Sequence, residues 1–143
     1  MQQDIVYLIK LNNKIFRATQ IYLDKVLKEY ELSCGSYPYL LMLVENQGIS
    51  QNKISEELGC DKAMSARTIT KLIQLGYLDR KKDEDDFRAN KLYLTEKANV
   101  TIPKVLQEIH KLIDTITMDL SEEEKIITIH SLDIVLGSIK KIE

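Results

Sequence analysis

The chain has 143 residues, a length that suits one domain around one core. At 44% hydrophobic and 29% charged, with only two cysteines, it is neither a disordered chain nor a disulfide scaffold, and no apolar run approaches the length of a membrane span. The formal net charge of −2 counts against a general polyanion binder. The cations are bunched, however: Lys62, Arg67, Lys71, Arg80, Lys81 and Lys82 stand against only Asp61 and Asp79, which predicts a modest positive strip on an otherwise acidic protein. Five glycines and two prolines point to a helix-rich fold with few long loops. Met1 to Asp4 lack the positive region and apolar core of an export signal, so the default expectation is a cytoplasmic protein with reduced thiols and no membrane partner.

Asp4 to about Tyr30 predicts a long first helix. Ile5, Leu8, Ile9, Ile15, Phe16, Tyr22, Leu23, Val26, Leu27 and Tyr30 recur at the three- and four-residue intervals of one apolar stripe. Ser36 reads as the cap of a second helix through Asn46, with Pro38 in its first turn, where a missing amide costs little. The core side of that helix reads as Leu40, Leu41, Leu43 and Val44. Gln47-Gly48 turns the chain, and Ile49-Ser50 reads as a brief strand.

Gln51 to Leu58 has the length of a short helix, with Ile54 and Leu58 on one face. Gly59 breaks it where a left-handed residue is cheapest. Asp61 can cap the next helix, which runs from Lys62 to about Leu75 and ends at Gly76. Its apolar side is Ile69, Leu72 and Ile73, with Ser65 a turn earlier. Its other side shows Lys62, Ala63, Ala66, Arg67, Thr70, Lys71 and Gln74. Small side chains among cations suit a helix that enters a DNA major groove, because the backbone can approach and arginine can pair with both acceptors of a guanine.

Tyr77 to Arg80 and Lys91 to Leu94 alternate apolar and polar, the mark of half-buried strands, around a charged loop from Lys81 to Asn90. Asp83 and Glu84 read there as a solvated tip. Thr95 can cap a helix to about Met118 with the stripe Val105, Leu106, Ile109, Leu112, Ile113 and Ile116, kinked at Pro103. Ser121 to Glu124 is a capping-box pattern for the last helix. That helix is apolar on more than one face, with Ile126, Ile127, Ile129, Leu132, Ile134, Val135, Leu136 and Ile139, so it asks for two burial partners, its own subunit and a second copy. The expected class is mainly α with a small antiparallel β-hairpin wing. It is one domain, 1–143, in which a winged helix-turn-helix lobe, 36–98, lies between terminal dimerisation helices, 1–35 and 99–143.

These pieces in this order resemble the MarR family (multiple antibiotic resistance regulators). The matching residues are Gln51 to Leu58, Asp61-Lys62, Ala66 to Leu72, Gly76 to Arg80, the wing signature Asp86-Phe87-Arg88, and Leu94 to Ala98. One departure is local: relatives often place a proline before the glycine at position 48, and here it is Gln47. The resemblance implies a homodimeric regulator that binds a pseudo-palindromic DNA duplex, a repressor released by an effector or other signal. It implies DNA contacts from Gln51, Asp61, Lys62, Ala63, Ala66, Arg67, Thr70 and Lys71, with Arg88 in the minor groove positioned by Asp86. It also implies a small aromatic or amphipathic effector, for which Phe16, Tyr37 and Tyr39 are candidate lining residues.

Two other readings stand beside this one, a winged helix that docks protein without binding DNA and a thiol-based redox regulator. Cys34 and Cys60 lie outside the first helix, where some relatives carry a sensing cysteine, and read as packing residues, although Cys60 adjoins a helix start. His110 and His130 stand on different expected helices with no cysteine near either, and no metal and no cofactor is expected. No Gly-rich phosphate loop, nucleophile elbow or catalytic His cluster is present, and the chain reads as a non-enzyme.

Overall fold

The computed structural model of the protein describes residues 5–86 and 88–142. The Asp4 start expected for the first helix and the Phe87 of the wing signature lie outside the described residues. Six helices and one two-stranded antiparallel sheet follow in the order α1 (Tyr7–Val26), α2 (Tyr37–Glu45), α3 (Gln51–Leu58), α4 (Lys62–Gln74), β1 (Leu78–Lys82), β2 (Asn90–Leu94), α5 (Glu96–Ile116) and α6 (Glu122–Lys140). The chain divides inside α5 into two compact units, 1–108 and 109–143. No helix among the described residues is long and apolar enough to cross a membrane.

Every core residue among those described falls in the first unit. Leu23 and Leu27 meet Tyr39, Leu40 and Leu43, the helix-turn-helix residues Ile54, Ile69 and Leu72, the ribbon residues Leu78 and Leu92, and Ala98, Ile102 and Val105 of α5 in the set of buried side chains. The first helix stops at Val26, short of the expected Tyr30. The chain tightens into a 3₁₀ turn, Lys28–Tyr30, and leaves it through Glu31 at φ +59°. The Leu32 N–H reaches the Leu27 carbonyl and the Glu31 N–H reaches that of Lys28, the paired reversal that ends a helix in the left-handed region. Leu27 and Leu32, at the two ends of this reversal, are both buried, so the turn is drawn into the core.

Two details of α2 differ from the sequence reading. Ser36 makes no side-chain cap; its hydroxyl instead accepts the Ser33 N–H at 2.9 Å. Val44 is 51% exposed and Leu41 only half-buried, because the buried face of α2 runs through Tyr39, Leu40 and Leu43 and leaves both on its other side. The expected caps of the later helices form. Asp61 accepts the Met64 N–H at 2.8 Å and Thr95 the Ala98 N–H, and Ser50, which was not expected to cap, accepts the Lys53 N–H at the start of α3. Ser121 and Glu124 make the complete reciprocal box.

The first strand starts one residue later than its alternation suggests, at Leu78, and runs two further to Lys82, the second starts one earlier, at Asn90, and the ribbon pairs Leu78 with Leu94 through Lys82 with Asn90. The expected strand at Ile49-Ser50 is reduced to a single bridge, Ser50 to Lys91, flanked by bonds from the Gly48 N–H to the Leu92 carbonyl and from the Leu92 N–H to the Ile49 carbonyl. Gln47 closes this edge by accepting the Leu94 N–H at 2.9 Å through its side-chain oxygen.

In the second unit no described residue is buried. The α5 stripe, buried at Ile102 and Val105, emerges at Ile113 and Ile116, and along α6 Ile126, Ile129 and Ile134 are each more than half exposed. Much of the α1 stripe is also open, with Ile9, Ile15 and Phe16 exposed.

Candidate nucleic-acid interface

The helix-turn-helix is built by two local devices. Gly59, at φ +67°, sends its N–H to the Glu56 carbonyl and that of Cys60 to Ser55, which ends α3 in the left-handed conformation a glycine adopts without a Cβ clash. Two residues later the Asp61 carboxylate starts α4 by taking one of its unpaired first-turn amides. α4 is then split lengthwise. Ser65, Ile69 and Leu72 are fully buried. Lys62, Ala63, Arg67, Thr70, Lys71 and Gln74 are exposed, with Ala66 half-buried at the margin.

Ser65 explains how a polar residue can occupy that inner face. Its hydroxyl is 2.7 Å from the Tyr39 hydroxyl, so α2 and α4 are joined by a buried polar bond as well as by apolar contact. Burial pushes the Tyr39 phenol above its ordinary value. Met64, on the flank of the exposed face, is 43% exposed although apolar. Sequence reasoning passed over it because it falls outside the apolar stripe. Gln51 opens α3 half-buried, with its side-chain oxygen enclosed in the fold, so it presents less to a duplex than the α4 residues do.

Lys62, Arg67 and Lys71 are in no ion pair among the described residues. Their charges are therefore available to an anionic partner. The wing adds Arg80, Lys81, Lys82 and Arg88, all exposed, and Lys81 lies 5.0 Å from the centroid of the Tyr93 ring. Two of the four acids of the wing loop, Asp83 and Asp86, bond back to the loop itself, while Glu84, Asp85 and Asp86 stay exposed. Asp86 accepts the Arg88 N–H at 3.0 Å through its carboxylate and the Ala89 N–H through its carbonyl. Asp83 accepts the Asp85 N–H at 2.9 Å and lies 3.8 Å from the Lys91 ammonium. Asp83 is thus a half-buried loop brace rather than a solvated tip residue; Glu84 is exposed as expected.

The remaining candidates are dispersed. Phe16 is 63% exposed on α1, Tyr37 is half-buried at the start of α2, and Tyr39 is buried in the core. Both cysteines are free and half-buried. Burial pushes the Cys34 thiol up, and the Asp24 carboxylate, which accepts the Cys34 N–H at 2.7 Å, adds to the shift. That environment suppresses the reactive thiolate at Cys34.

A model of the MarR family matches residues 32–89. The HTH-type transcriptional regulator BilQ of Clostridioides difficile is 32% identical over 122 residues, which is 85% of this chain and 80% of that protein. Among solved structures, a MarR transcriptional regulator from Methanosarcina mazei superposes with a TM-score of 0.90 at 28% identity, covering 99% of this chain and 94% of the other. A Listeria monocytogenes protein assigned to the MarR family, solved in complex with 26mer DNA, gives 0.85 at 27% identity, covering 96% and 90%.

Proposed function

The chain belongs to the MarR family of transcriptional regulators, and on that premise we propose that it grips a pseudo-palindromic duplex as a homodimer and represses transcription from it. The observation that carries this reading is the lengthwise division of α4, with Ser65, Ile69 and Leu72 inward and outward a cationic face in no ion pair among the described residues. Lys62, Ala63, Ala66, Arg67, Thr70 and Lys71 form the major-groove surface, Asp61 fixes its first turn, and Gln51 abuts it from α3. Arg88, held by the Asp86 turn, is the minor-groove probe. Two such helices reach successive major grooves when they stand about 34 Å apart. The exposed apolar residues of α1 and α6 are the surface that a second copy covers.

The protein acts by binding, not catalysis. Selection of bound duplexes from a random pool, followed by equilibrium binding in a salt series, tests the reading. The expected result is a two-fold related consensus and an affinity that falls steeply with salt. Failure to bind any duplex at low salt sinks it and brings forward a protein-docking role.

Release by a small aromatic or amphipathic effector completes the proposed cycle. Phe16 and Tyr37 are the accessible candidates, whereas a ligand reaches Tyr39 only by displacing its core neighbours. A phenolic panel is expected to contain compounds that raise the melting temperature and weaken duplex binding together. A panel with neither effect removes this class of ligand.

A further inference from the structure

The exit of the recognition helix is held by a single short segment of another element. After α4 the chain passes through Leu75, Gly76 and Tyr77, and all three of their carbonyls are taken by residues 95–97. The Lys97 ammonium donates to the Leu75 carbonyl, the Thr95 hydroxyl to that of Gly76 at 2.6 Å, and the Thr95 N–H to that of Tyr77 at 3.1 Å. The Lys97 stem crosses Gly76, where an added Cβ would be 3.7 Å from its Cδ, and the ammonium lies 4.5 Å from the centroid of the Tyr77 ring. The Tyr77 hydroxyl in turn donates to the Tyr30 carbonyl at 2.7 Å, at the end of the 3₁₀ turn that follows α1. One lysine therefore touches three successive residues at the point where the recognition helix meets the last turn after α1 and the first turn of α5.

We propose that Lys97 is a positioning residue for DNA recognition, a latch on the C-terminus of the recognition helix that fixes the angle at which α4 is presented. The inference rests on the DNA-binding reading above. A cation at a helix C-terminus meets the negative end of the helix dipole, and over an aromatic face it gains a second attraction. Both hold the helix in one orientation before the duplex arrives, so less ordering remains to be done on binding. In a dimer, a loosened helix exit blurs the distance between the two reading heads, and half-site spacing is the property that reports it.

The test compares the parent with Lys97→Met and Lys97→Arg in the full chain, on duplexes whose half-sites are moved by one or two base pairs, over several salt concentrations. Methionine keeps an apolar stem across Gly76 and removes the charge; arginine restores the charge. Lys97→Met is expected to lose roughly three- to tenfold in affinity for the best duplex. It is expected to keep the parent's salt slope and to discriminate less between spacings, with Lys97→Arg recovering both properties. An unchanged affinity overturns the latch. So does a salt slope shallower by about 1 per subunit with spacing preference intact, which marks a direct phosphate contact. A loss of affinity that merely follows a loss of folded protein, again with spacing preference intact, reduces Lys97 to fold stability and overturns it as well. If the parent itself binds no duplex, the DNA-binding reading has failed and the latch falls with it.

Discussion

Arg67, Lys71 and Arg88 are all exposed cations, yet the proposed docking gives them different work. Arg67 lies opposite Ser65 and Ile69 at the centre of the α4 outer face, where a side chain can reach base edges. Arg67→Ala should weaken operator binding and relax preference at one or two base pairs per half-site, a discrimination loss of about 1–3 kcal/mol if the contact is bidentate. Lys71→Ala should weaken all sequences alike and make the salt slope shallower by roughly 1 for each phosphate left without its cation. Arg88→Ala should spare the core preference and lose most on sites flanked by A·T tracts, whose narrow groove concentrates negative potential. Equilibrium binding of the three variants to duplexes with A·T-rich or G·C-rich flanks separates them, and an Arg88→Ala protein indistinguishable from the parent removes the wing from the interface. The α4 face and the Asp61 cap were legible in sequence because both depend on neighbours within one helical turn. The Tyr39–Ser65 bond joins residues 26 apart and the Lys97–Leu75 bond residues 22 apart, and nothing in local periodicity announces either.

At the scale of elements, helix starts were more legible than helix ends. Starts are set by a cap residue and the spacing behind it. The first helix ended early because a reversal at Glu31, not a glycine, drew Leu27 and Leu32 inward. A non-glycine residue in that conformation costs about 1–2 kcal/mol, of which a glycine's greater unfolded freedom would take back part. Glu31→Gly should therefore raise stability by about 0.5–1 kcal/mol in thermal or denaturant melts; a lower midpoint would mean that the Glu31 side chain contributes more than its backbone costs. The capping box at the start of α6 carries a pH signature. Bonding to the Ser121 N–H, and then to the Ser121 hydroxyl, holds the Glu124 carboxyl below the ordinary value of 4.5. A carboxylate lowered in the folded state stabilises fully above its unfolded value and loses that contribution as pH falls through the folded one. The helix start should thus weaken on acidification below about pH 4.5. Glu124→Gln should remove this component of the acid dependence, as followed by helicity against pH; a parallel acid profile for the two proteins would contradict it.

The whole molecule is unevenly buried. The unit through Glu108 has a core drawn from its helices and ribbon, whereas 109–142 offers no buried residue of its own among those described. Covering one large apolar side chain is worth about 1.5–3 kcal/mol, so the exposed isoleucines and leucines of α6 are a strong drive toward association. Sedimentation equilibrium of the full chain should give a dimer, and deletion of 121–143 should give aggregated or unfolded protein. A stable soluble monomer from either sample is incompatible with the dimer. The expectation of a partner came from apolar residues on more than one face of α6, and those residues are exposed in the single chain. The pairing geometry was not legible, since that is a property of two surfaces and the sequence records one.

The lengthwise division of α4 has a consequence for how such a regulator changes over generations. Ser65, Ile69 and Leu72 are committed to the interior, while Lys62, Ala63, Arg67, Thr70, Lys71 and Gln74 are not. Substitutions at exposed positions usually shift stability by no more than about 0.5 kcal/mol. The outward set can therefore be rewritten by mutation or by design almost without reference to the inward one. A descendant of this chain could acquire a new target by drifting through intermediates that all fold, its address changed and its architecture inherited.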